Sequence, residues 1–197
     1  MATDFAIYLA SASPRRAELL QQAGVSFERV VADIDETPLD SESPRDYVER
    51  LALAKAVAVQ SLIASSGRPM RPVLGSDTCV VIDGQILGKP VDQADATAML
   101  TRLSSSQHQV MTSVAVVDHR QQQALVSITD VTFRAISASE ISAYWHSGEP
   151  ADKAGSYGIQ GKGGLFVEHL SGSYTGVVGL PLAETEFLLQ QFGLSCW

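Results

Sequence analysis

Residues 5–16 have the sequence FAIYLASASPRR, which carries the first indication of the fold in this chain of 197 residues. The apolar run at 5–10 predicts a short buried strand. Ser13 is a favourable N-cap residue and Pro14 suits a first helical position, so we expect a helix from Arg15 onward. A strand followed at once by a helix is typical of folds that combine a sheet with packed helices.

The rest of the chain alternates between strand and helix patterns. Further strands are expected at 27–32, 73–82, 86–90, 109–117, 124–133 and 165–170, and helices at 15–23, 44–64, 92–104, 137–145 and 182–192. The dipeptide Asp83-Gly84 predicts a hairpin between two of these strands. Because several middle strands have hairpin spacing, we expect an α/β or α+β fold with a mixed sheet.

Composition limits the classes of protein to consider. Hydrophobic residues make up 45% of the chain and the formal net charge is −8. The first value allows a substantial core, and the second opposes non-specific binding to nucleic acid or an anionic membrane. No apolar stretch reaches the roughly 18 residues that suggest a membrane span. With no signal-peptide pattern and only Cys79 and Cys196 as cysteines, we expect a cytoplasmic protein.

The segment Ser11–Arg16 combines two hydroxyl groups with two adjacent arginines at a helix start. Unpaired N–H groups at that end, together with guanidinium donors, would suit an anion such as phosphate. An ordinary cap with two solvated arginines is the simpler interpretation, because Ser-Pro pairs are common caps and a second one occurs at Ser43-Pro44. Arginines in a first turn nevertheless oppose the helix dipole, and a bound anion would offset that effect.

Two acidic positions stand out. Asp77 lies within the apolar strand pattern, where a carboxylate is unfavourable unless it is paired or bound to a metal; a strand-end residue capping a turn is the alternative. Asp35-Glu36 belongs to a polar loop that would ordinarily be solvated. Taken together, Glu36 and Asp77 offer the oxygen ligands that Mg²⁺ or Mn²⁺ prefers.

Other polar features are less specific. Lys55, Lys89 and Lys153 would each, alone, be interpreted as surface lysines. The segment 155–161, GSYGIQG, lacks the spacing of a nucleotide-binding P-loop and does not follow a strand. Its glycines allow either the approach of a ligand to the backbone or tight turns. His108 and the other three histidines are scattered, and we interpret them as structural.

Short segments along nearly the whole chain together resemble the Maf family, or septum formation proteins, which are nucleoside triphosphate pyrophosphatases. The segments are LASASPRR (9–16), DET (35–37), LALAKA (51–56), GSDT (75–78), GKP (88–90), DKAG (152–155), GIQG (158–161) and VGLP (178–181). Each is short, but their order and spacing are highly specific. The resemblance implies one functional domain over residues 1–197.

The resemblance also implies a fold and a reaction. The fold would be an elongated mixed sheet flanked by helices, with a cleft between two lobes, similar to inosine triphosphate pyrophosphatases. The reaction would cut a nucleoside triphosphate between its α- and β-phosphates with the help of a divalent cation. Asp77 would be the catalytic carboxylate that accepts a proton from the attacking water. A homodimer is compatible with the resemblance.

Residue roles follow from the same resemblance. Arg15, Thr78 and Gln160 occupy three positions that divide the family, and they are the residues carried by the dTTP/UTP pyrophosphatase subgroup. The subgroup acting on 7-methyl-GTP has Trp, Gln and Glu there instead. Glu36 and Asp77 would hold Mg²⁺ or Mn²⁺. The triphosphate would be bound by Ser11, Ser13, Arg16, Lys55, Lys89 and Lys153.

Two other functions stay open at the level of sequence. The family name suggests a regulator of cell division that acts through a binding partner, although no residue pattern indicates a partner surface. A sensor that binds dTTP or UTP without turnover is the other, and the retained Asp77, Glu36 and lysines argue against it. The target would be canonical dTTP and UTP or modified pyrimidine nucleotides.

Overall fold

The computed structural model describes residues 5–197. Its strands are β1 (Ile7–Ala10), β2 (Phe27–Arg29), β3 (Val73–Ile82), β4 (Gln85–Leu87), β5 (Gln107–Val117), β6 (Gln122–Phe133) and β7 (Val167–Ser171). Its helices are α1 (Pro14–Gln22), α2 (Pro44–Ser65), α3 (Gln93–Leu103), α4 (Ala138–His146), α5 (Tyr174–Val178) and α6 (Leu182–Gln191). None of the helices within this range is both long enough and apolar enough to span a bilayer.

The strands form one mixed sheet. The hydrogen-bonded order is β2-β1-β3-β5-β6-β7, and β4 pairs with β3 outside that path. Strand β1 runs parallel to both β2 and β3, whereas the β3–β4 and β6–β7 pairs are antiparallel. The parallel β1–β2 pair needs a crossover, which α1 supplies. The predicted α/β fold with a mixed sheet and a hairpin at Asp83-Gly84 is confirmed.

The chain divides into two compact units. Unit 1 takes the described residues up to Asp77, then Thr112–Ser127 and Gly179–Trp197. Unit 2 consists of Thr78–Met111 and Ile128–Val178. Strands β3, β5 and β6 therefore contribute residues to both units. A single functional domain over residues 1–197 stays a prediction.

In unit 1 the helix α2 lies unusually close to β3. A side chain at Gly75 would collide with the carbonyl oxygen of Ala52 and would lie 3.0 Å from the backbone nitrogen of Ala56. Only glycine allows this approach, which brings Lys55 of α2 beside Asp77 of β3. The core around this contact consists of Tyr8, Ala10, Ala56, Val59, Ile63, Val73 and Val117.

Unit 2 has an aromatic core that includes a buried histidine. His108 Nε2 lies 2.7 Å from the Tyr157 hydroxyl, and the His108 ring meets Phe133 edge to face at 4.8 Å between centroids. Burial lowers the pKa of His108 to about 4, so the ring is neutral at physiological pH. Its position agrees with the structural role expected for it.

Several element boundaries differ from prediction. Strand β2 ends at Arg29, three residues early, and β7 begins only at Val167 because Lys162–Phe166 forms a 3₁₀ turn through two glycines. Helix α5, which has five residues, was not predicted from the sequence. A helix this short completes little more than one turn, too little for a helical periodicity to be visible.

Acidification should destabilise the protein through His108. Its folded-state pKa of about 4 lies below the ordinary value of 6.5, so the unfolded chain binds more protons between these two values. The stability contribution of the neutral ring is thus complete above pH 6.5 and is lost as pH falls toward 4, by about 2–3 kcal/mol at pH 4.5.

The variant His108→Phe keeps an aromatic ring and removes the titration. Urea unfolding at pH 7.5 and 4.5 should show a larger loss of unfolding free energy for the wild type than for the variant. Carboxylates contribute the same background to both proteins. Equal losses in the two proteins would contradict the assignment.

Candidate active site

A lysine bridges two carboxylates in unit 1. Asp77, only 8% exposed, accepts a hydrogen bond from Lys55 Nζ at 2.6 Å. The same ammonium group lies 2.8 Å from Glu36 Oε1. A strand, a helix and a loop therefore each supply one charged group, and two of the three were predicted to act together as metal ligands.

The electrostatic setting of Asp77 is a balance of opposing effects. Burial raises the pKa of the Asp77 carboxyl above its ordinary value, while the positive charges of Lys55 and Arg16 act in the opposite direction. Burial likewise lowers the pKa of the Arg16 guanidinium, which Asp77 partly offsets. Buried charges of opposite sign thus depend on each other, as expected where desolvation is strong.

The segment Ser11–Arg16 is held in a defined conformation. Ser11 Oγ accepts hydrogen bonds from the Ser13 backbone at 3.2 Å and from Arg16 Nη1 at 3.1 Å. Arg16 Nε donates to the Gly179 carbonyl at 2.8 Å, and Ser76 Oγ donates to the same oxygen at 3.0 Å. These bonds orient the Arg16 guanidinium relative to β3.

The two Ser-Pro caps of the chain differ. The hydroxyl of Ser43 accepts a hydrogen bond from the Asp46 backbone at 3.2 Å, and Asp46 supplies a negative charge in the first turn of α2. Ser13 makes no such side-chain bond, and the first turn of α1 has no acidic residue. The start of α1 therefore lacks both the serine cap bond and the acidic first-turn residue that α2 has.

Helix α2 also holds the loop that carries Glu36. Tyr47 donates from its hydroxyl to the Glu36 carbonyl at 3.1 Å, and Arg50 Nη2 donates to the Thr37 carbonyl at 3.1 Å. Arg50 also binds both carboxylate oxygens of Glu42, and this bond lowers the pKa of Glu42 to about 2. Neither Tyr47 nor Arg50 was predicted from the sequence, although their i, i+3 spacing on a predicted helix places them on one face.

The acidic pair is suited to a metal ion that takes some of its ligands from the protein and the others from water and a substrate. Glu36 and Asp77 already converge on one cation, the Lys55 ammonium. Within residues 5–197 no group of three or more His, Cys, Asp or Glu side chains could hold a metal ion. Mg²⁺ is commonly bound by one or two carboxylates together with water and substrate phosphates, so this donor set fits it.

The remaining predicted lysines belong to unit 2. Lys89 is exposed after β4, and Lys153 Nζ donates to the Glu149 carbonyl at 2.6 Å. The Gly155 backbone nitrogen donates to the Gly88 carbonyl at 3.0 Å. This bond joins the segment that carries Lys89 to the segment that carries Lys153.

The three predicted specificity positions have different surroundings. Arg15 is half-buried in the first turn of α1 in unit 1, and Thr78 is half-buried in β3 in unit 2. Gln160 is exposed in the turn that follows Gly158. The backbone of that turn is bound by Tyr144 and Glu149, both missed by the sequence analysis. The one feature of the sequence that could have pointed to them is that Glu149 lies four residues before the predicted phosphate ligand Lys153.

Comparison with known proteins identifies a matching family model, similar relatives and structural neighbours. Residues 6–192 match a family model described as Maf, Maf-like protein. A dTTP/UTP pyrophosphatase of Pseudoalteromonas translucida (strain TAC 125) is 59% identical over 95% of this chain and 97% of that protein. A dTTP/UTP pyrophosphatase of Chromobacterium violaceum is 54% identical over 96% of each. The solved structure of the Staphylococcus aureus Ham1 protein aligns with 64% of this chain and 71% of that chain, at 11% identity and a TM-score of 0.46.

Removing Lys55 should leave Asp77 as a buried charge without its nearest cation. Breaking a largely buried ion pair from one side costs about 3 kcal/mol, so Lys55→Met should lower the free energy of unfolding by that amount. Adding Asp77→Asn should recover part of the loss, because the unpaired charge is then gone. Lys89→Met, at an exposed position, is the control and should change stability by less than about 0.5 kcal/mol. Equal effects of Lys55→Met and Lys89→Met in urea unfolding would contradict the pairing.

Proposed function

Because the chain belongs to the Maf family, we propose that it hydrolyses dTTP and UTP to the nucleoside monophosphate and pyrophosphate. The observation that carries this proposal is the buried Asp77 carboxylate bonded to Lys55, which also pairs with Glu36. Relatives of nearly the same length that are 50–59% identical carry the name dTTP/UTP pyrophosphatase, which supports the choice of substrate.

In unit 1 the triphosphate would be bound by hydroxyl and cationic groups. Ser11, Ser13 and Arg16 at the start of α1 supply donors, and Lys55 supplies a positive charge next to Asp77. Arg16 is already oriented by the Gly179 carbonyl. Donors fixed before the reaction need little reorganisation while negative charge develops on the departing pyrophosphate, which is how such groups lower a barrier. Lys89 and Lys153, which belong to unit 2, stay predicted phosphate ligands on the basis of the family resemblance alone.

Glu36 and Asp77 would hold a divalent cation, Mg²⁺ or Mn²⁺. When bound, such an ion lowers the pKa of a coordinated water and neutralises phosphate charge. The Asp77 carboxylate would orient or deprotonate the attacking water; orientation is the easier role for a carboxylate that also binds the cation, because a bound cation lowers the pKa of the carboxyl and makes it a poorer base. Without the cation, burial raises the pKa of Asp77, whereas Lys55 and Arg16 favour the ionised form, which is the form that binds a metal.

Selection of the base would fall to Gln160, with Arg15 and Thr78 as the other two contributing positions. The Gln160 side chain is exposed and so accessible to a ligand. A glutamine amide both donates and accepts, which matches the adjacent N–H and carbonyl groups of thymine and uracil.

The variant Asp77→Asn should retain the fold and lose turnover. Asparagine keeps the shape and an acceptor for Lys55, but it cannot take a proton from water. Loss of a general base reduces rates by about 10²–10⁴-fold, measured as pyrophosphate release from dTTP with Mg²⁺. Asp130→Asn, in strand β6, is the matched control and should keep normal turnover. Normal pyrophosphate release by Asp77→Asn would refute the catalytic assignment.

The variant Gln160→Glu should change base selection. A carboxylate accepts but cannot donate, so it would repel the carbonyl groups of thymine and uracil. We expect kcat/KM for dTTP and UTP to fall by about tenfold or more, since an unmatched polar contact costs at least 1–2 kcal/mol. Gln107→Glu, exposed at the start of β5, controls for the added charge. Unchanged relative rates among nucleotides would show that Gln160 does not select the base.

A further inference from the structure

The turn that carries Gln160 is bound on both sides by two side chains of unit 2. On one side, the Tyr144 hydroxyl accepts a hydrogen bond from the Gly158 backbone at 3.1 Å. On the other, Glu149 Oε2 accepts from the Lys162 backbone at 2.9 Å and Oε1 accepts from the Gly163 backbone at 3.1 Å. The turn 158–163 is thus anchored before and after Gln160.

The two anchors are linked to each other. The Tyr144 hydroxyl donates to Glu149 Oε1 at 2.7 Å while it accepts from Gly158. Tyr144 is 3% exposed, and its ring packs edge to face on Phe166 at 5.1 Å between centroids. The anchor therefore rests on the core of unit 2.

Gly161 indicates how closely the carboxylate fits beneath this turn. A side chain at Gly161 would contact the Glu149 carboxylate, with 2.5 Å between its first carbon and Glu149 Cδ. The carboxylate thus occupies the space that any larger residue at position 161 would need. Burial pushes the pKa of Glu149 upward, but the bonds from Gly163, Tyr144 and Lys162 outweigh it, and the pKa is lowered overall.

Selection between bases makes such an anchor useful. Thymine and uracil present an N–H beside a carbonyl, whereas cytosine presents an acceptor beside an amino group. A glutamine amide that is free to rotate by 180° exchanges its donor and its acceptor, and so it can pair with either pattern. Discrimination of polar groups therefore requires the amide to be held in one position, so that the wrong base leaves unmatched donors or acceptors.

We propose that Glu149 is a positioning residue for base selection, because its carboxylate binds the backbone after Gln160 directly and holds the Tyr144 hydroxyl that binds the backbone before Gln160. The inference rests on the proposed function. Glu149 does not touch the base in this account; it acts through the turn 158–163. Its own backbone carbonyl binds Lys153 at 2.6 Å, so a change of the Glu149 side chain leaves that lysine contact in place.

The test compares Glu149→Gln with Glu140→Gln. In Glu149→Gln one carboxylate oxygen is replaced by an NH2 group. This group cannot accept the hydrogen bond from the backbone N–H that faces it, so the anchor weakens. Glu140 lies in the first turn of helix α4 and also accepts a backbone bond, from Ser137 at 2.8 Å; within residues 5–197 its carboxylate bonds to Ser137 and Arg134 and not to the turn 158–163. It controls for the loss of a charged carboxylate that binds backbone in the same unit.

The readout is the ratio of kcat/KM for dTTP to kcat/KM for dCTP. We expect Glu149→Gln to lower this ratio about tenfold, the equivalent of one charged hydrogen bond, while the dTTP kcat falls less. Glu140→Gln should leave the ratio unchanged. A uniform loss of rate for all nucleotides, or equal ratios in both variants, would overturn the inference and leave Glu149 a structural residue.

Tyr144→Phe provides a second variant that keeps the packing against Phe166. It removes the hydroxyl that joins Gly158 to Glu149, so the dTTP/dCTP ratio should again fall, and amide exchange in the peptide 158–164 should become faster. An unchanged ratio in Tyr144→Phe would overturn the inference even if Glu149→Gln fails to fold. A wild type that leaves dTTP and UTP intact refutes the proposed function and this inference together. A change of ratio in Gln160→Glu but not in the Glu149 and Tyr144 variants refutes the inference alone.

Discussion

The ion pair between Lys55 and Asp77 is the interaction on which the site in unit 1 depends. A carboxylate as buried as Asp77 is unfavourable unless a cation lies against it, and Lys55 Nζ does so at 2.6 Å. The pair forms because α2 can approach β3 at Gly75, where any side chain would collide with the helix backbone. One glycine thus determines whether the charged groups of a helix and a strand can meet.

Two loops that carry proposed ligand residues are held in similar ways. The loop of Glu36 is bound by the Tyr47 hydroxyl and the Arg50 guanidinium. The turn of Gln160 is bound by Tyr144 together with the Glu149 carboxylate. In each case a tyrosine and a charged side chain bind loop backbone and leave the ligand residue exposed. Charge-assisted bonds to backbone are strong enough to order a short loop, and an ordered loop needs less rearrangement when a substrate binds.

Sequence patterns predicted the alternation of strands and helices, because that alternation depends on local hydrophobic spacing. They were less accurate where glycines allow turns, as at the start of β7, and they missed the single-turn helix α5. The two helix caps have the same dipeptide, Ser-Pro, so the dipeptide alone could not distinguish them. Their difference depends on whether the serine hydroxyl turns back to the helix, as in Ser43 but not Ser13.

The candidate site was predictable to a similar degree. Residues of unusual chemistry in an unusual place, such as Asp77 in an apolar strand, could be identified one by one. The bridge through Lys55 could not, since it depends on a helix and a strand far apart in the chain. Anchors such as Glu149 act through backbone bonds, which no side-chain pattern records.

The most direct test of the account is the identity of the products formed from dTTP by the purified protein with Mg²⁺. Separation of the nucleotides by anion exchange, with parallel assays for pyrophosphate and phosphate, identifies the bond that breaks. We predict dTMP and pyrophosphate in equal amounts. UTP should give UMP and pyrophosphate in the same way, and dCTP and GTP should be turned over much more slowly. Formation of dTDP with inorganic phosphate, or recovery of intact dTTP, would contradict the account.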